Sequence, residues 1–244
     1  MNSSAHRNGG QLQPGRFEQS LRRLYRRLFP KLPEELRRFT ADCESLLDVG
    51  CGSDSPAQHL PAGIWKMGVD AFAPSIEQSR ARSIHHEYRL MNVLDLAQAF
   101  EPQSFHCVLC CDVIEHLTRL DALRLIRAME KVASRMVIIK TPNGFLPQDE
   151  YDNNPLQVHR SGWEVEEMRA LGYDIIGIGG WKPLKGERAN LRFRPASFWN
   201  RVADVTRPLV RNWPEQAFEI LCVKQIAPAQ RKSGSMNARP CAVA

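Results

Sequence analysis

Apolar positions follow two periods along this chain, and the two alternate. Short, nearly continuous apolar runs stand at 45–49, 64–69, 106–111, 136–140, 173–178 and 217–224, with a weaker one at 87–91. Runs of that length and character suit strands buried on both faces. Between them the apolar spacing lengthens to that of a helix at 74–82 and at 121–133, where Leu123, Ile126, Met129 and Val132 share one side. Ser161-Gly162-Trp163-Glu164 reads as a capping box that opens another helix, and Gly172 closes it. Residues 195–210 form a further helix. Such alternation predicts an α/β domain with a parallel sheet covered on both sides.

The ends depart from this pattern. Residues 1–15 and 227–244 are polar, Pro- and Gly-bearing tails that read as disordered. Residues 16–40 read as a helical arm. Phe17, Leu21, Leu24 and Leu28 recur at helical spacing, Arg22, Arg23, Arg26 and Arg27 lie largely opposite, Pro30 stops the helix, and a second short helix covers 33–39. The domain proper spans 41–226. Within it, 181–213 is an insertion between the last two strands, basic at its start, with Trp181, Phe193, Phe198 and Trp199, and it reads as a lid over the substrate.

Charge sharpens the division. The net charge is +6, and the first forty residues, with nine Arg or Lys against three Glu, account for all of it. The basicity belongs to the arm, which suits an anionic membrane face or, less directly, RNA. No apolar run reaches the length of a membrane span, and residues 1–13 lack the apolar stretch of a secretory signal. Seven cysteines show no paired metal spacing, and Cys107, Cys110, Cys111 and Cys222 fall inside strand-like runs as small buried hydrophobes. A reduced cytoplasmic setting is expected, with membrane association through the arm.

The chemistry concentrates after the strands. Leu46-Leu47-Asp48-Val49-Gly50-Cys51-Gly52 is an apolar strand ending in an acid and a Gly-x-Gly turn. Glycines there let the backbone turn sharply and approach a ligand. The segment resembles motif I of the class I S-adenosylmethionine (SAM) methyltransferases. Met67-Gly68-Val69-Asp70 follows, and one carboxylate at a strand end can accept both ribose hydroxyls; the family residue matching Asp70 does this. Leu90-Met91-Asn92-Val93 stands where the family usually has an acid for the adenine amino group, and the Asn92 carbonyl can still accept from it. Ser104-Phe105-His106-Cys107-Val108 resembles the family's Phe-Asp-x-Val, with His106 in place of the acid. Cys111-Asp112-Val113-Ile114-Glu115-His116-Leu117 matches the Asp-x-x-Glu-His-Leu box of small-molecule methyltransferases, including those of quinone biosynthesis. Thr141-Pro142-Asn143-Gly144 resembles a Pro-Asn turn facing the substrate in that group. One departure is Ser53-Asp54-Ser55, where many members carry a third glycine at position 54.

The resemblance, covering about residues 43–180, implies a Rossmann-like, doubly wound, mostly parallel seven-stranded sheet with its last strand antiparallel. It implies SAM as cofactor, held by Asp48, Gly50, Cys51, Gly52, Asp70, Ala71, Asn92, Val93, Asp112 and Val113. It implies methyl transfer to a small molecule, most simply to a hydroxyl of a quinone, sugar or lipid-linked compound, with Asn143 and Trp181 near the substrate. A hydroxyl needs a base poised near neutral pH, and His159 and His116 are the candidates. No metal is expected, although Asp112, Glu115, His116 and His159 have the carboxylate and imidazole chemistry to hold a divalent ion. Two other readings of the SAM domain are an RNA methyltransferase that uses the arm and a catalytically silent SAM-binding regulator. A nicotinamide oxidoreductase is disfavoured by Ser55, where a dinucleotide fingerprint has its third glycine. His85 and His86 read as surface residues.

Overall fold

A computed structural model of the chain describes residues 31–150, 154–186, 190 and 192–227. The tail at 1–15, the helix at 17–28 and almost all of the C-terminal tail therefore lie outside the described residues.

Seven strands make one sheet: β1 (Ser45–Val49), β2 (Trp65–Asp70), β3 (Glu87–Leu90), β4 (Phe105–Cys111), β5 (Ala133–Pro142), β6 (Asp174–Trp181) and β7 (Ala217–Gln225). Their spatial order is β3-β2-β1-β4-β5-β7-β6. β1 to β5 run parallel, and β7 inserts antiparallel between β5 and β6. The helices are α1 (Leu32–Phe39), α2 (Ala73–Ala81), α3 (Leu96–Ala99), α4 (Arg119–Val132), α5 (Val165–Ala170) and α6 (Ala196–Asn212). The doubly wound sheet with an antiparallel last strand is the expected one.

Strand alternation sorts the core into two layers. Leu47, Val49, Val108, Cys110, Val137 and Ile139 face α4, which buries Leu125, Ile126, Met129 and Val132 against them. Leu46, Cys107, Leu109, Met136 and Ile138 face the other way, against Leu36 of α1 and Ile64. A buried leucine such as Leu47, truncated to alanine, costs about 2–5 kcal/mol in cores of this kind. Cys43, Cys51, Cys107, Cys110 and Cys222 are buried free thiols, as small core hydrophobes should be.

Two local expectations need correction. The capping box of α5 uses Glu164 and Glu167, not Ser161. The Ser161 hydroxyl instead donates to the Ile114 carbonyl at 3.1 Å, because the segment before α5 docks on the Glu115 turn. His85 is buried rather than at the surface, since its ring crosses β2 toward β1.

The order reverses between β1 and β4, whose neighbours β2 and β5 lie on opposite sides. In open α/β sheets such a reversal leaves a crevice at the carboxyl ends of the strands. No described helix is long and apolar enough to cross a membrane.

Candidate active site

A cavity of about 330 Å³ opens at that reversal. All ten residues expected to hold the cofactor border it, brought together from the ends of β1, β2, β3 and β4. Gly50 makes the turn after β1 with φ +68°, and a Cβ there would stand 2.3 Å from Val113 Cγ2. Only glycine meets both demands at low cost. A Cβ on Gly52 would project into open space, so the backbone leaves room for a ligand.

Asp70 ends β2 with both oxygens anchored. The Gly52 N–H donates to Oδ2 and the Phe72 N–H to Oδ1, each at 2.8 Å. Burial raises its pKa above the usual aspartate range, and these two amides pull it part of the way back. Asp48 is buried beneath the turn, where its Oδ2 accepts from the Ser55 hydroxyl and lies 2.8 Å from His85 Nε2. Ser55 thus serves as a donor to motif I and as cap of the short helix after it, where its Oγ accepts from the Ala57 N–H at 3.0 Å. Asn92 borders the cavity while its Oδ1 accepts from the Leu94 N–H at 3.0 Å.

Asp112 follows β4 with φ +55°, a strained conformation for a non-glycine residue. Lys140 Nζ lies 2.9 and 2.7 Å from its two oxygens and 2.6 Å from Glu219 Oε1. Burial pulls the Lys140 pKa down, but Asp112 and Glu219 outweigh it and hold the ammonium charged well above its ordinary range. Sequence reasoning missed Lys140 and Glu219. A lysine at the end of an otherwise apolar strand was the available signal.

Beyond Asp112 lies a second chamber of about 500 Å³, and Asp112 and His116 border both cavities. Glu115, His116 and His159 converge on it, with one ligand atom from each within 4.8 Å of the others. The two imidazoles stand edge to face, 4.7 Å apart. His159 Nδ1 lies 2.5 Å from the Leu146 carbonyl and His116 Nδ1 lies 3.3 Å from that of Val158. Carbonyls can only accept, so both Nδ1 atoms carry the proton when the rings are neutral, which places the lone pair of each ring on Nε2. Burial, and then the neighbouring His159, lower the His116 pKa. Glu115 is fully enclosed. Its Oε2 accepts from Thr141 Oγ1 at 3.1 Å, and Oε1 has no partner. Burial, reinforced by the charge of Asp112, drives its pKa well above that of an ordinary glutamate.

The two residues expected near the substrate stand elsewhere. The Asn143 Nδ2 group faces the carbonyls of Pro214, Glu215 and Ala217 at 2.9 to 3.1 Å, so its side chain joins the turn before β7 to β5. Trp181 is 41% exposed at the end of β6 and borders neither cavity. β6 is the edge strand, two places beyond β5, which carries it away from the crevice.

Residues 47–138 match the family model described as a methyltransferase domain. The matched stretch, somewhat over a third of the chain, is thus similar to that family and holds the turn after β1, Asp70 and Asp112. Among solved structures, the methyltransferase domain of bacterial CtHen1 is 14% identical, with a TM-score of 0.51 over 84% of this chain and 98% of that one. A SAM-dependent methyltransferase from Archaeoglobus fulgidus is 15% identical, with a TM-score of 0.49 over 84% and 99%. No curated protein matches the sequence. The likeness to the CtHen1 domain is one of fold.

Proposed function

We propose that residues 41–226 form a methyltransferase domain acting on a hydroxyl of a small-molecule acceptor seated in the 500 Å³ chamber. The observation that carries this reading is the pair of neutral-tautomer imidazoles, His116 and His159, beside the cofactor cavity. Bound SAM supplies an electrophilic methyl group, so the protein's tasks are binding, alignment and handling of one proton. Asp70 takes the ribose hydroxyls and the Gly50–Gly52 turn admits the methionine end. With SAM bound, Nε2 of His116 or His159 would take up the acceptor's proton. The low pKa of His116 keeps it unprotonated and ready to do so at neutral pH. Of the segment 181–213, Asn190 borders the chamber.

A specific observation favours a second reading of the same cluster, one that revises the expectation of no metal. Glu115, His116 and His159 are spaced to hold a divalent cation, both imidazoles are oriented by carbonyls, and Glu115 Oε1 has no partner. Ligand sets of this kind depend on such outer contacts. A cation there would orient an acceptor oxygen and favour its ionised form.

Incubation with labelled SAM and fractionated metabolites, lipids and RNA tests the acceptor class. Label in a small molecule supports the proposal. Label only in RNA, or none despite tight cofactor binding, overturns it in favour of an RNA enzyme or a silent regulator.

A further inference from the structure

Helix α6 is seated firmly on one side and bare on the other. Ala203 and Val210 are buried. The Val210 carbonyl lies so close to β6 that a Cβ on Gly177 would stand 1.9 Å from it. The opposite side carries Phe198, Val205 and Leu209, with Trp213 just past the helix end, and each is between 55% and 65% exposed. Positions seven, eleven and fifteen residues beyond Phe198 fall on one line of a helix, about 22 Å long. Isolated exposed hydrophobes need no explanation, but a continuous line of them does.

The charge around this line indicates what covers it. Residues 181–213 carry eight Lys and Arg against Glu187 and Asp204, and Asp204 is engaged by Arg207. Arg192, Arg194 and Arg201 are exposed and make no ion pair among the described residues. A second copy would set this basic face against itself. The first forty residues, nine Arg or Lys against three Glu, have the same sign. Both occupants meet like-charge repulsion. RNA would satisfy the arginines, but Val205 and Leu209 have no ring on which a base could stack. An anionic bilayer satisfies both features, because its headgroups attract arginine and its interface accepts aliphatic and aromatic side chains.

We propose that the outer line of α6 is a docking surface for an anionic membrane. Phe198, Val205, Leu209 and Trp213 enter the interface, and Arg192, Arg194 and Arg201 lie on lipid phosphates. This stands independently of the acceptor reading, since it uses no residue of either cavity.

The test uses the full chain and vesicles of phosphatidylcholine, alone or mixed with phosphatidylglycerol. The wild type is expected to sediment with the mixed vesicles only, with a blue shift of tryptophan emission. The variant F198S/L209S/W213S changes exposed positions only, and it should keep its circular dichroism melt and SAM affinity. It is expected to lose binding at least about tenfold, given three apolar side chains withdrawn from the interface. R192E/R194E/R201E should lose about a hundredfold or more, since roughly 1 kcal/mol is lost for each of the three basic residues at the surface. Vesicle binding by the triple serine variant equal to wild type, or no binding by wild type, overturns the proposal. So does a wild-type dimer in light scattering that the serine variant converts to monomer, or RNA retention that is lost in that variant while vesicle binding persists.

Discussion

His85 Nε2 lies 2.8 Å from Asp48 Oδ2, with both side chains sealed from solvent. Asp48 pairs in register with Gly68 on β2, and the histidine ring reaches the carboxylate by passing over that glycine. A Cβ on Gly68 would stand 3.0 Å from His85 Nδ1 and 2.9 Å from Cys51 Sγ. A histidine outside motif I therefore helps fix the acid inside it.

Replacing His85 by Phe keeps the ring and removes the donor, leaving Asp48 with Ser55 alone. A buried carboxylate short of a partner costs about 1–3 kcal/mol. We expect a lower melting temperature and a SAM Kd raised about tenfold by calorimetry. His85→Gln, which can place a side-chain amide near the carboxylate, is expected to recover part of both. Unchanged affinity in the folded H85F protein would assign the pair to stability alone.

Asp70 carries the pH prediction. Burial raises its pKa, so it takes up a proton on acidification sooner than an ordinary aspartate. The neutral form accepts less well from a ribose, and SAM affinity is expected to fall as pH drops through the raised pKa. The same shift costs the empty protein stability as pH rises from the ordinary aspartate value to the raised one, because over that window the folded state holds more protons than the unfolded one. Asp70→Asn should bind SAM more weakly at neutral pH and lose the acid-limb dependence, as read by titration at a series of pH values. A D70N protein with wild-type affinity would displace the ribose site.

Lys140 bridges Asp112 and Glu219 between the two cavities. Lys140→Met leaves both carboxylates without their cation. Asp112 is about half exposed and recovers water, so the cost is smaller than that of breaking a fully enclosed pair. About 1–3 kcal/mol is expected by denaturant unfolding. Turnover should fall as well, because the strained Asp112 turn borders the cavity proposed to hold SAM.

The two readings of the histidine cluster part on chelation. If Glu115, His116 and His159 hold a cation, EDTA abolishes turnover, added divalent metal restores it, and SAM affinity is unchanged. If an imidazole acts as base without metal, EDTA has no effect, and His159→Ala or His116→Ala still lowers kcat about 100-fold or more.

Much of this molecule is written in short stretches of chain. The apolar alternation of β1, β4 and β5 assigns each residue to one core layer without knowledge of its neighbours. The Gly50 turn needs its glycine for local backbone reasons, and Asp48 and Asp70 sit at strand ends because acids break apolar runs there. Parallel strands bring those ends to one edge, so the residues expected to hold a cofactor border one cavity.

The remainder depends on which loops meet over that edge, and loop packing leaves no period in the sequence. His85 became a partner of Asp48 only when the turn before β3 folded over Gly68. Asn143 was drawn to carbonyls some seventy residues on, because β7 returns antiparallel beside β5. His116 and His159, forty-three residues apart, meet because the segment before α5 hydrogen-bonds the Glu115 carbonyl through Arg160 and Ser161. Local propensity placed the strands, whereas long-range hydrogen bonding and steric room decided which polar groups face one another.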